Sequence, residues 1–100
     1  MREIDDDDFE DTIDQIGSVL VYFHSTFCPP CKTVGPLLET LSQDPGDVEF
    51  VKINIDEHML HASRHGVSSV PTLVLYKASY EAKRHVGGIS EPALREWLGV

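Results

Sequence analysis

Phe27-Cys28-Pro29-Pro30-Cys31-Lys32 holds both cysteines of the chain, separated by two residues. An apolar, β-rich run, Val19-Leu20-Val21-Tyr22-Phe23, leads into it. Val34, Leu37, Leu38 and Leu41, apolar at helical spacing, lead out of it. The pair therefore falls where a strand gives way to a helix, with Cys28 at or near the helix N-cap and Cys31 in the first turn. A helix N-terminus carries unpaired N–H groups and about half a positive charge. That favours thiolate, the reactive form of cysteine. Cys-x-x-Cys beside a strand–helix–strand pattern points to a dithiol redox site. Two rival readings stay open at this point: inert buried thiols, or part of a metal site. A structural zinc site wants four protein ligands, and there is no second Cys-x-x-Cys. A three-ligand site using His24, or a dimer bridged through the pair, would be needed instead.

Outward from that junction the chain reads as alternating strands and helices. Arg2 to Ile4 suits a very short first strand. Phe9, Ile13 and Ile16 recur at helical spacing, so a helix is expected from Asp6 to Ile16, closed by Gly17. Val19 to His24 reads as a central strand covered on both faces. The helix after the cysteines should run from Cys28 to Ser42, kinked at Pro36. Val48 to Ile55 is a second central strand, with Val51, Ile53 and Ile55 on one face. A helix from Glu57 to His65 closed by Gly66 follows, then a strand from Thr72 to Tyr76. An edge-like strand, Lys83 to Val86, ends at Gly87-Gly88. Ser90 caps a last helix that turns Leu94, Trp97 and Leu98 inward. The order β-α-β-α-β-α-β-β-α implies an α/β fold: a mixed sheet with helices on both faces.

Composition narrows the function. One hundred residues, 41% hydrophobic, make one domain with a core of its own. No run approaches the roughly 18 apolar residues of a membrane span, and Met1-Arg2-Glu3-Ile4-Asp5 lacks an apolar signal-peptide core. A cytoplasmic location follows as the expectation, where a cysteine pair stays mobile and is not a staple. A net charge of −9 argues against nucleic acid as a partner. Eight of the 17 acidic residues lie in the first 14 positions, and Asp5 to Asp8 suit an N-cap and first helical turn. His58, His61 and His65 fall at helical spacing; a solvated helix face is favoured over a metal site, since no carboxylate or cysteine nearby in sequence completes one.

The ordered set Val19 to Phe23, Cys28-Pro29-Pro30-Cys31-Lys32, Gly35-Pro36, Val51-Lys52-Ile53-Asn54-Ile55-Asp56, Gly66-Val67, Val70-Pro71-Thr72-Leu73 and Val86-Gly87-Gly88 resembles the thioredoxin family over essentially the whole chain. The resemblance implies a thioredoxin fold: one domain over residues 1–100, a mixed sheet of four to five strands, about four helices. It implies a thiol–disulfide oxidoreductase that reduces protein disulfides, with Cys28 as exposed nucleophile and Cys31 as the more buried resolving thiol. The implied partners are a reductase of the thioredoxin reductase type and disulfide-containing proteins, with no metal or organic cofactor and a monomeric state. It also implies a cis Val70–Pro71 peptide and a docking surface of Phe27, Pro29, Val70, Pro71, Gly87 and Gly88. A specialised thiol oxidant or isomerase, or a non-catalytic binding subunit using that surface, is the alternative.

Several positions depart from the family pattern. Pro29-Pro30 stands where Gly-Pro is usual, removing two N–H groups from the helix start and implying a stiffer site with a less stabilised thiolate. Tyr22 stands where the family buries an aspartate that takes the proton of the resolving thiol. Tyrosine, with an ordinary pKa of about 10, is a poor base near neutrality, so water, His24 or another group must serve. His24 stands where tryptophan is common; packing is the favoured reading of it, over proton transfer. Lys52 matches a lysine that pairs with the missing aspartate, and should pair with Tyr22 or reach solvent. Phe27 replaces another tryptophan, and Trp97 is expected in the core of the last helix.

Overall fold

The computed structural model describes residues 1–100. In chain order the elements are β1 (Arg2–Glu3), α1 (Asp6–Ile13), β2 (Ser18–His24), α2 (Cys31–Ser42), β3 (Val48–Asn54), α3 (Leu60–Arg64), β4 (Thr72–Lys77), β5 (Tyr80–Val86) and α4 (Glu91–Leu98). The five strands form one sheet in the order β1-β3-β2-β4-β5. β1, β3 and β2 are parallel, while β4 and β5 run antiparallel to their neighbours. This is the mixed sheet that the element order implies.

Alternation along the central strands sorts the core into two layers. Val19, Val21 and Phe23 of β2, with Val51 and Ile53 of β3, face Phe9 and Ile13 of α1 and Ala62 of α3. Leu20 and Tyr22, with Phe50, Leu73 and Leu75, face Val34, Leu38 and Leu41 of α2 and Leu94 of α4. Both cysteines belong to this second layer. β2 is thus wrapped on both faces, which is why its sequence is almost continuously apolar.

Four element boundaries lie three residues from the sequence expectation, each for a local reason. α1 stops at Ile13: the Asp14 N–H still bonds to the Glu10 carbonyl, but its ψ of 70° leaves the helix. Ile16 lies beyond that exit and is fully exposed. α3 starts at Leu60, not Glu57, because Asn54 organises the preceding residues into turns. Its side chain accepts from Asp56 N at 2.9 Å and its carbonyl from His58 N at 2.9 Å. β5 begins at Tyr80, since Ala78 and Ser79 adopt φ of 51° and 73° and turn the hairpin in two residues. α2 starts at Cys31, not Cys28, because Cys31 N and Lys32 N bond only three residues back, to Cys28 O and Pro29 O, and the first four-back bond runs from Val34 N to Pro30 O. Pro36 lies inside that helix as expected.

The last helix follows its sequence signals. Ser90 accepts from Ala93 N, Pro92 sits in the first turn, and Gly99 closes it in the left-handed region. Leu94 is fully buried, and Trp97 and Leu98 pack half-buried against the same layer.

Candidate active site

The site lies past the C-terminal ends of β2 and β3. The loop after β2 is tied to the loop after β3: Thr26 N donates to Asp56 Oδ2 at 3.2 Å, and Asn54 Nδ2 to Thr26 Oγ1 at 3.3 Å. Past this tie Phe27 projects outward, 90% exposed. The chain then turns through the prolines: Cys31 N bonds to Cys28 O at 3.0 Å and Lys32 N to Pro29 O at 3.1 Å. Cys28 and Cys31 are joined in a disulfide, their Cα atoms 5.2 Å apart.

The expected contrast between an exposed Cys28 and a buried Cys31 does not hold. Cys28 is 4% and Cys31 9% exposed. Cys28 sits against the second core layer, flanked by the exposed Phe27 and Pro29. Position in the turn, and not exposure, distinguishes the two sulfurs.

The positions expected to form a docking surface are placed unequally. The Val70–Pro71 peptide is cis. Val70 packs half-buried on the layer that holds both cysteines, whereas Pro71 is buried. Gly87 N donates to Pro71 O at 2.8 Å, which brings the Gly87-Gly88 turn beside that proline. Gly87, at φ of 99°, needs the freedom of glycine there. Phe27, Pro29 and Gly88 are exposed.

Behind the disulfide an open cleft of about 550 Å³ is lined by Tyr22, His24, Cys31, Gly35, Glu39 and Lys52, among others. Gly35 has no side chain, and a Cβ built there would lie 3.6 Å from the Tyr22 hydroxyl. That hydroxyl donates to the Cys31 carbonyl at 3.3 Å. Burial pushes its pKa up to about 12, so Tyr22 is a fixed donor and not a base. Lys52 does not pair with Tyr22. Its ammonium stands 3.6 Å from Glu39, which also accepts from the Met1 ammonium at 3.0 Å. The hydrogen bond from the Met1 ammonium holds the Glu39 carboxyl below the usual carboxylate range, against the opposing effect of burial, with Lys52 adding to it. His24, whose ring lies 5.2 Å from that of Tyr22, pairs through Nε2 with Glu3 Oε2 at 3.1 Å.

Glu3 and Glu39 were not among the residues singled out by sequence. Glu39 had a signal, since Cys31, Gly35 and Glu39 recur at four-residue spacing on one helical face. Glu3 had none, because β1 reaches the site only by pairing with β3.

The solvated histidine face is also corrected. His61 is 3% exposed and stacks on Phe9 with ring centroids 4.5 Å apart. His65 Nδ1 meets the Tyr76 hydroxyl at 3.0 Å. His58 precedes α3 and is half-buried. The short α3 packs inward on α1, so the sequence spacing marked a core face.

A family model described as Thioredoxin matches residues 1–99. The chain belongs to the thioredoxin family. A thioredoxin from Streptomyces clavuligerus is 37% identical over 95 residues, covering 94% of this chain and 89% of that protein. A thioredoxin from Chlamydia caviae is 45% identical over 71 residues, 71% of this chain and 70% of its own. The structure of a Plasmodium falciparum thioredoxin superposes with a TM-score of 0.91 at 25% identity, covering 99% of this chain and 97% of that one. With its bonded Cys28–Cys31 pair, this thioredoxin-family chain is a thiol–disulfide oxidoreductase acting as a protein-disulfide reductase. No helix in it is long and apolar enough to cross a membrane.

Proposed function

We propose that this chain is a single thioredoxin domain that works as a cytoplasmic, monomeric electron carrier. It takes two electrons from a reductase of the thioredoxin reductase type and passes them to disulfides of other proteins. It needs no metal or organic cofactor, and neither nucleic acid nor a membrane is a partner. The observation that carries this reading is the Cys28–Cys31 bond in the turn that opens α2, set beside the exposed Phe27.

In the forward direction Cys28, as thiolate, attacks one sulfur of the substrate disulfide. A mixed disulfide forms and the other substrate sulfur leaves as thiolate. Cys31 then attacks Cys28 Sγ, the Cys28–Cys31 bond forms, and the reduced substrate departs. Thiolate stabilisation by the helix is modest here. Pro29 and Pro30 carry no N–H, and the Cys31 and Lys32 N–H groups are bonded back to Cys28 O and Pro29 O. Phe27, Pro29, Val70, Pro71, Gly87 and Gly88 provide the surface on which an extended substrate segment lies.

The test is turnover of a disulfide-bonded protein by the chain under a dithiol reductant. Cys28→Ser should abolish turnover, and Cys31→Ser should accumulate the mixed disulfide on Cys28. Binding of client proteins that survives the double substitution, with no turnover by the parent chain, would replace this reading with a non-catalytic one.

A further inference from the structure

Resolution of the mixed disulfide needs Cys31 as thiolate, so its proton must have an acceptor within reach. This inference rests on the dithiol-exchange reading above. The titratable groups that share the cleft with Cys31 are the Met1 ammonium, Tyr22, His24, Lys32, Glu39 and Lys52. Most of them are disqualified by what they touch or by their charge. The Met1, Lys32 and Lys52 groups are cations at neutral pH. Glu39 already accepts from the Met1 ammonium at 3.0 Å and stands 3.6 Å from Lys52, so its charge is engaged. The Tyr22 hydroxyl keeps its proton and donates it to the Cys31 carbonyl.

His24 is different. Its Nε2 lies 3.1 Å from a carboxylate oxygen of Glu3, and a carboxylate can only accept. The hydrogen of the neutral ring therefore sits on Nε2, and Nδ1 is left with its lone pair. Nδ1 has no protein partner and is not among the buried unsatisfied atoms, so it meets the water of the cleft. The Glu3 carboxylate holds the ring by its Nε2–H and so keeps the Nδ1 lone pair free to take a proton. We propose that His24, oriented by Glu3, accepts the Cys31 proton through cleft water during resolution. The step balances as follows. The Cys31 S–H bond breaks and its proton passes through water to His24 Nδ1. The thiolate's electron pair forms the bond to Cys28 Sγ. The Cys28–substrate S–S bond breaks and the substrate sulfur leaves as thiolate, to which the imidazolium returns the proton.

The test is a stopped-flow reaction of the reduced full chain with substoichiometric dithiobis(nitrobenzoate). Attack by Cys28 releases one thionitrobenzoate, and attack by Cys31 releases the second. His24→Gln should slow the second phase by about tenfold or more at pH 7 and remove its inflection between about pH 5 and 8. His24→Phe, which keeps a ring against Tyr22, should do the same. Glu3→Gln, which loosens the hold on the ring, should slow the second phase by a smaller factor than the His24 variants, and this variant carries the test if a His24 variant does not fold. Second-phase rates and pH profiles equal to the parent's in these variants would overturn the proposal. The first phase reports on the underlying reading separately: if Cys28→Ser leaves it intact, dithiol exchange through Cys28 is itself wrong, whatever His24 does.

Discussion

Reducing the Cys28–Cys31 bond should lower the stability of the fold by about 2 kcal/mol. The bond joins residues three apart in sequence and so closes a very small ring. Loop-closure entropy for a ring of about four residues is about 6 cal/mol/K, or about 2 kcal/mol at 25 °C. With a urea dependence of about 2 kcal/mol per molar, the midpoint should fall by about 1 M on adding dithiothreitol. The melting temperature should fall by roughly 8 to 16 °C for a chain of this size. Linkage turns the same number into a potential. Whatever the disulfide adds to folding, folding adds to the disulfide. A gain of about 2 kcal/mol places the folded pair about 40 mV below the same pair in the unfolded chain. Equilibrium urea titrations of the oxidised and reduced protein, followed by far-UV circular dichroism, give the difference directly. A reduced protein as stable as the oxidised one, or more so, would contradict this expectation. The folded site would then favour the dithiol, as an oxidant's does, and the assignment as a reductase would fall with it. Titration of the pair against a dithiol buffer should agree, near the −270 mV typical of thioredoxins.

Three further outcomes follow from particular contacts. Phe9 is fully buried among Phe23, His61 and Tyr76, so Phe9→Ala should cost about 3–5 kcal/mol in urea unfolding. Asp6, in the first turn of α1, accepts from Leu60 N at 3.1 Å and His61 N at 3.2 Å, capping α3 from a distant element. Asp6→Ala should cost about 1 kcal/mol and speed hydrogen exchange of the α3 amides more than those of β3. Burial, then the nearby His61 and Arg84, hold His65 below the ordinary histidine range. The folded state therefore binds its proton less readily than the unfolded state, and stability present above about pH 6.5 is lost as pH falls below it. Urea midpoints measured from pH 7.5 down to 5 should decline, and His65→Gln should flatten that decline; a flat parent curve would count against it.

The mixed sheet and its two layers were legible because they rest on local periodicity. Val19 to Phe23 alternates its faces between layers that α1 and α2 cover, and the same parity runs through Val51 and Ile53. The boundaries were less legible. Ile16 kept helical spacing beyond the residue where the backbone had already left the helix, and nothing in the spacing marks that exit. The histidines of α3 invite a solvated-face reading because spacing alone does not say which side of a short helix meets the core. Phe9 stacking on His61 decided that.

By itself, the sequence determined the Cys28–Cys31 pair, its place between a buried strand and an amphipathic helix, and the family to which both belong. Those features are written in residue types at fixed short intervals, which local backbone geometry enforces. The tertiary structure alone decided which charges surround the pair. Glu3 reaches His24 because β1 and β2 both pair with β3 in one parallel register. Glu39 takes Lys52 and the Met1 ammonium, and leaves Tyr22 to hold the Cys31 carbonyl. Charged side chains on a surface follow no period, so their partners are set by how the strands line up and not by their spacing along the chain.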